Sequence, residues 1–335
     1  MISKKGLISV VIPAFNKPEY TSKTIDSLML QTYRPMEIIL SDDNSPRSLK
    51  DLVDQKKSEC DSGLCIKYFR QKVNLNYYWN LQFVIGEATG QYIVLLDHDD
   101  WLIDHNYFSD SIKAIEGHAN CYLSIANTFF ENSPQTILNF YYNNWHYVDG
   151  PALVKNQLFT TIHPSRSTII LCLDKLKELD YKRYFVDQES ASKMKVMPDE
   201  AFVLVCLLAS VGNIALTGRV VSVRGVPPES LSRTALWHKT GGYKMFISHF
   251  LLYQYFKKIE CRDGMQAMSH NLILRYPCQG INIEMIKYLN FNRLAIVFMV
   301  LGVLWFNLKR IILFPRQILV ILRSTMICIA KKIFL

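Results

Sequence analysis

The chain has 335 residues, half of them hydrophobic, with 38 Lys and Arg against 29 Asp and Glu, for a net charge of +9. Seven of the cations (Arg293, Lys309, Arg310, Arg316, Arg323, Lys331 and Lys332) lie after Phe291, where no acidic residue occurs, so 31 basic residues face 29 acidic ones in the rest of the chain. That nearly neutral body excludes a broad nucleic-acid groove, and eight cysteines without CxxC spacing leave a zinc or redox centre unsupported.

Leu7 to Ala14 reads as a first buried strand, with Pro13 near its exit, where a missing N–H matters least. This run is short and is followed by Asn16-Lys17-Pro18-Glu19 with no small-residue cleavage site, so it does not read as a secretory signal. The cysteines then read as small buried apolar residues in a reducing compartment. Pro18 starts a helix whose apolar face is Ile25, Leu28 and Met29. Met36 to Leu40 is a second strand, ending at the polar run SDDNSP, and Cys65 to Phe69 is a third. Trp79 to Ala88 reads as a helix closed by Gly90.

Tyr92 to Leu96 is a fourth buried strand, followed at once by Asp97-His98-Asp99-Asp100. Carboxylates this close repel one another, and a hard cation such as Mg²⁺ or Mn²⁺ relieves the repulsion. An acidic turn capping the next helix is the alternative. Strands alternating with helices through short connections imply parallel β-α-β units. Ligands in such sheets bind beyond the carboxyl ends of the strands. Asp42-Asp43 and Asp97 to Asp100 therefore fall on the same edge.

Several blocks, in order over about the first 105 residues, resemble a family 2 glycosyltransferase of GT-A fold. They are SVVIPAFN (Ser9 to Asn16), IDSL from Ile25, QTY from Gln31, EIILSDDNS from Glu37, Asn74, Asn80, GQYI from Gly90 and DHDD from Asp97. The resemblance implies an α/β fold, a mostly parallel twisted sheet with flanking helices. It implies inverting transfer from a nucleotide sugar, with a UDP-sugar as the expected donor and Mn²⁺ or Mg²⁺ as cofactor. On this pattern Pro13, Ala14, Phe15 and Asn16 form the loop beside the base. Asp43 accepts a hydrogen bond from the base, Asp42 supports the loop, and Asn74 and Asn80 line the donor pocket. Asp97 faces the ribose or donor sugar. Asp99 binds the cation with Asp100 assisting, and His98 is a neighbour in the nucleotide-sugar site rather than a ligand. The alternatives for Asn74 and Asn80 are a turn residue and a helix-surface amide.

Further on, Phe129 to Pro151 is rich in Tyr and Asn and reads either as a sugar-stacking platform or as an ordered surface loop. His163, Ser165 and Arg166 are candidates for acceptor or diphosphate contact, Ser165 reading mainly as a polar loop residue. Asp199-Glu200 precedes the apolar helix Ala201 to Val211. The family carries a Glu-Asp pair in this place, one member being the general base. Here the order is reversed, and Asp199 is the expected base with Glu200 as the alternative. After a strand over Leu216 to Val223, Gly225 to Pro228 stands where many members carry a His. Ser230, Ser232, Arg233 or His238 would take over its phosphate role. The QxxRW signature of polymerising members is absent, so single additions are expected.

Residues 1–235 read as the transferase domain, 1–105 being its nucleotide-sugar half and 106–235 its acceptor half, and 236–290 as a helical extension. In 291–335, Lys309, Arg316 and Arg323 form one basic stripe opposite apolar residues, and fifteen uncharged residues (Leu294 to Leu308) fall short of a span. The expectation is in-plane attachment to an anionic surface at the cytoplasmic face of the cell membrane, one short spanning helix being the alternative, with a glycan or lipid-linked acceptor and no nucleic-acid partner. A sugar-phosphate nucleotidyltransferase is the enzyme alternative, although its Gly-rich loop after strand one is missing. An inactive membrane-bound scaffold of the same fold is the other.

Overall fold

The computed structural model describes residues 3–136, 143–155, 165–185, 199–227, 248–249, 252–253, 255–260, 265 and 268. His163, Ser230, Ser232, Arg233, His238 and the whole 291–335 stretch lie outside the described residues. Contacts divide the chain into two units. One is Met1–Val154, Leu158–Phe185 and Glu200–Thr234; the other is Lys155–Gln157, Val186–Asp199 and Ala235–Leu335.

The first unit is a twisted ten-stranded sheet. Its first half is made of β1 (Lys4–Ala14), β2 (Met36–Asp42), β3 (Leu64–Arg70) and β4 (Gly90–Leu95). These pair in the order β3-β2-β1-β4, all parallel. Parallel strands are covered on both faces, which is why β1 from Leu7 onward and all of β2 are buried and mostly apolar. The helices between them are α1 (Pro18–Met29), α2 (Lys50–Ser58) and α3 (Asn76–Gly86). Pro18 sits at the start of α1, where its fixed φ fits and no N–H is missed.

The second half mixes directions. It holds β5 (Asp100–Leu102), α4 (Tyr107–Glu116), β6 (Cys121–Phe130), β7 (Ser133–Thr136), β8 (His146–Val148), α5 (Gly150–Lys155), β9 (Ile169–Cys172), α6 (Leu173–Glu178), α7 (Glu200–Ala209) and β10 (Asn213–Arg224). The sheet continues β4-β9-β6-β10-β5, with β9 antiparallel to both neighbours and β10 parallel to β6. α7 is apolar and buried along its whole length, with Glu200 as its first residue. Among the described residues no helix is long and apolar enough to cross a membrane.

Glu37 is a charged residue inside the parallel core, and its side chain is 2% exposed. Its carboxylate accepts from Ser9 Oγ at 2.5 Å, from the Thr89 amide at 2.8 Å and hydroxyl at 2.9 Å, and pairs with Lys67 Nζ at 2.7 Å. One side chain thus ties β1, β2, β3 and the approach to β4.

Gly90 corrects the sequence reading. α3 ends at Gly86, and Gly90 opens β4 instead of closing the helix. A Cβ at Gly90 would lie 2.4 Å from the Leu7 carbonyl oxygen and 2.8 Å from Ser9 Oγ. The glycine is there because β1 passes too close for any side chain. Gly90→Ala is expected to cost about 1–3 kcal/mol, read as a lower urea midpoint at unchanged slope.

The aromatic stretch is used structurally where it is described. His146 to Val148 form β8 against the early part of β10, Tyr147 stacks on His118 at 4.1 Å, and its hydroxyl donates to the Ala114 carbonyl at 3.1 Å. This is the amino-terminal half of β10, away from Arg224, which pairs with Asp100. These residues are thus a short strand at the sheet rather than a loop.

In the second unit, segments at 248–249, 252–253 and 255–258 are helical, and Ser248, His249, Leu252 and Phe256 are buried. The Asp199 amide donates to Ser248 Oγ at 2.8 Å.

Candidate active site

The carboxyl ends of β1, β2 and β4 deliver Ala14, Asp42 and Leu95 to one edge of the first unit. The expected loop residues gather there. Pro13 and Ala14 are buried, the Asp43 amide donates to the Ala14 carbonyl at 2.8 Å, and the Asn16 amide donates to Ser45 Oγ at 2.8 Å. Phe15 stands out from the edge at 39% exposure. Asn16 and Lys17 are both left-handed (φ 58° and 54°), which turns the chain sharply from β1 into α1.

The two aspartates after β2 have separate surroundings. Asp42 accepts from the Ser45 amide (2.8 Å), the Leu49 amide (3.2 Å), the Tyr68 hydroxyl (2.9 Å) and Arg70 (2.7 Å). Burial alone would raise its pKa, but the hydrogen bonds from Ser45, Leu49 and Tyr68 outweigh burial and hold it below the usual range. So engaged, the Asp42 carboxylate ties down the chain from Ser45 to Leu49. Asp43 accepts from the Leu75 amide at 2.6 Å, so it fastens the β3–α3 loop, and burial pushes its pKa up. Asn74 is an exposed turn residue whose Oδ1 accepts from the Asn76 amide at 2.9 Å. Asn80 is no surface amide: it is 1% exposed, and its Nδ2 donates to the Ser41 carbonyl at 2.9 Å.

Beyond β4 the chain turns through Asp97 to Asp99 into β5. Thr24 Oγ1, from α1, donates to the carbonyls of His98 (2.9 Å) and Asp100 (2.7 Å). Gly225 follows β10 and donates its amide to the Asp99 carbonyl at 3.0 Å. A Cβ at Gly225 would lie 2.0 Å from that oxygen. Gly225, the first residue of the stretch where many family members carry a His, is therefore closed to a side chain.

Each member of the acidic run has its own setting. Asp97 accepts from the Tyr77 hydroxyl at 2.7 Å and lies 3.5 Å from Arg166. Burial works against its charge, yet Arg166 and Tyr77 hold its pKa below the ordinary value. His98 is half-buried, its Nε2 has no hydrogen-bond partner, and burial pushes its pKa down. Asp99 faces Lys17 Nζ at 3.8 Å, and burial, followed by the charge of Asp97, raises its pKa. Asp100 is 1% exposed, and its Oδ2 has no hydrogen-bond partner. Burial first, then Asp97 and Asp99, push it far above the usual range.

Among the described residues no three His, Cys, Asp or Glu side chains are grouped as a metal cage. Mg²⁺ and Mn²⁺ do not need one, because they commonly take one or two carboxylates and complete their shell with water and substrate phosphate. Asp99 at the edge, with the unpartnered Asp100 oxygen behind it, fits that kind of donor set.

Arg166 joins this edge to the acidic pair. Its guanidinium lies 3.5 Å from Asp97, 3.6 Å from Glu200 and 5.1 Å from the centre of the Tyr77 ring. Glu200 is 2% exposed. Asp199 belongs to the other unit. Sequence reading missed Tyr77, Lys17 and the Arg166–Glu200 link. Tyr77 had a signal, since it lies three residues beyond Asn74 at the start of α3.

The family described as "Glycosyl transferase family 2" matches residues 9–179, just over half of the chain. The chain belongs to glycosyl transferase family 2. Within this family it is 34% identical, over 119 residues, to the GalNAc(5)-diNAcBac-PP-undecaprenol beta-1,3-glucosyltransferase of Campylobacter jejuni. That match covers 34% of this chain and only 37% of the relative. Among solved structures it resembles S. aureus TarS 1-349 in complex with UDP-GlcNAc. The TM-score is 0.54 at 12% identity, covering 87% of this chain and 88% of that one. It also resembles the mannosyltransferase PcManGT of Pyrobaculum calidifontis, in complex with GDP-Man and Mn²⁺. Here the TM-score is 0.51 at 14% identity, over 97% and 86% of the two chains. The fold of this family 2 chain is the GT-A fold expected from its sequence.

Proposed function

We propose that this chain is an inverting glycosyltransferase that moves a sugar from a nucleoside-diphosphate sugar to a hydroxyl of a lipid-linked glycan. The observation that carries the reading is Arg166, which spans Asp97 on the donor edge and Glu200 at the start of α7. A sugar seated against Asp97 has its acceptor side toward Glu200. The acceptor oxygen attacks the anomeric carbon, the bond to the diphosphate breaks on the opposite face, and Glu200 takes the hydroxyl proton. Glu200 is preferred to Asp199 because it shares a guanidinium with the donor edge. Asp43 and Phe15 receive the base, uracil being the first choice given the TarS complex with UDP-GlcNAc. Asp99, with Asp100 behind it, would hold Mn²⁺ or Mg²⁺. When bound, the cation supplies positive charge for the departing diphosphate.

The acceptor class follows the Campylobacter relative, whose own name carries an undecaprenol diphosphate. Residues 1–235 form the transferase part in this reading, 236–290 a helical extension, and 291–335 lie in an anionic membrane surface at the cytoplasmic face. The test is to supply the purified full chain with a panel of radiolabelled nucleotide sugars, Mn²⁺ and bacterial lipid extract. Label entering the lipid phase with release of nucleoside diphosphate is expected. Release of pyrophosphate from a nucleoside triphosphate and a sugar phosphate would overturn transfer. Label entering water-soluble glycans alone would overturn the lipid-linked acceptor.

A further inference from the structure

Lys17 has no part in the catalytic scheme above, yet its place in the fold is tightly determined. It is the second of two consecutive left-handed residues between β1 and α1, and Ser45 Oγ pins the first by its amide. That turn carries its side chain over the edge to Asp99, with Nζ 3.8 Å from Oδ2. The ammonium and the carboxylate are both mostly covered, at 18% and 16% exposure. Two other cations of this edge pair elsewhere, Arg70 with Asp42 at 2.7 Å and Arg166 with Asp97 and Glu200, while Arg224 lies opposite Asp100 in the β10–β5 register.

Lys17 therefore sits where the divalent cation of the proposed reaction has to bind. A divalent ion and an ammonium cannot share one carboxylate oxygen across a few ångströms without strong repulsion. Two cations coexist there only if an anion lies between them. The diphosphate of the donor is such an anion, and an ammonium is a good point-charge partner for it.

We infer that Lys17 is a diphosphate ligand that also guards Asp99: it pairs with Asp99 while the nucleotide is away and moves onto the diphosphate when nucleotide and cation bind together. This inference rests on the nucleotide-sugar reading. By linkage it makes cation and nucleotide strongly cooperative, since the nucleotide draws away the ammonium that competes with the cation. No bond is made or broken in the exchange.

The experiment measures Mn²⁺ binding by the loss of its free-ion electron paramagnetic resonance signal, with and without UDP, and UDP binding by calorimetry. It uses the full wild-type chain, Lys17→Met and Lys17→Arg. In the wild type, UDP should tighten Mn²⁺ binding about tenfold or more, within the range usual for coupled sites. Lys17→Met should bind Mn²⁺ alone several-fold more tightly, bind UDP about tenfold more weakly, and lose most of the coupling. Its binding of uridine should not change. Lys17→Arg should keep the coupling. Unchanged coupling in Lys17→Met, or an equal loss of uridine and UDP binding, would overturn the inference and leave the nucleotide-sugar reading standing. Wild-type protein that binds neither UDP nor GDP would overturn that reading and this inference with it.

Discussion

Glu200→Gln is expected to lower the rate of transfer about 10²- to 10⁴-fold, the usual contribution of a positioned general base. Donor binding should hardly change, because Arg166 keeps its contact with Asp97 at 3.5 Å and glutamine still presents an oxygen to the guanidinium. The loss should therefore appear in kcat, with KM for the nucleotide sugar nearly constant. Asp199→Asn is the control. Its amide is held by Ser248 Oγ whatever the side chain, so the backbone ahead of α7 stays in place. A loss in Asp199→Asn equal to or larger than that in Glu200→Gln would transfer the role of base to Asp199. Steady-state kinetics on both variants, with circular dichroism to show that each is folded, decide the matter.

The largest expected effect on stability comes from Glu37. Glu37→Ala leaves the Ser9 hydroxyl, both Thr89 donors and the Lys67 ammonium without their acceptor, Ser9 in the dry core and Lys67 at its margin. Removing one partner of a buried charged network costs about 3 kcal/mol or more. The same network gives a pH signature. Burial raises the pKa of Glu37, but Lys67, Ser9 and Thr89 more than reverse this, so it lies below its ordinary value. A carboxylate lowered on folding stabilises the protein at every pH above its unfolded value of about 4.3. That stabilisation fades as pH falls through the folded value. Urea melts at pH 7 and at successively lower pH should show the wild type losing stability faster than Glu37→Gln. Parallel curves would rule out Glu37 as a source of acid sensitivity.

The parallel half of the sheet was legible because its strands are buried on both faces and so stand out as unbroken apolar runs. The acidic edge was legible for a related reason: parallel strands put all their ends on one side. What could not be read depends on distance across the fold. Nothing local distinguishes a Gly that closes a helix from Gly90, whose neighbours are Leu7 and Ser9. β5 has only three residues and begins inside the acidic run, so it offers no period to detect. Glu37 did leave a trace, a charge just ahead of the apolar run Ile38 to Leu40, but its three partner residues come from three separate segments. Asp42 and Asp43 look alike in the sequence and differ in the donors that reach them, amides with Tyr68 and Arg70 for the first and the Leu75 amide for the second.

β9 has one more consequence. It runs backwards between β4 and β6, with Ile170 beside Val94 and Cys172 beside Tyr92. A reversed strand brings its beginning to the side where its neighbours bring their ends. Arg166 meets Asp97 because it precedes β9, whereas Asp97 follows β4. In a sheet of mixed polarity, the chemistry on one rim is written downstream of the forward strands and upstream of the backward one.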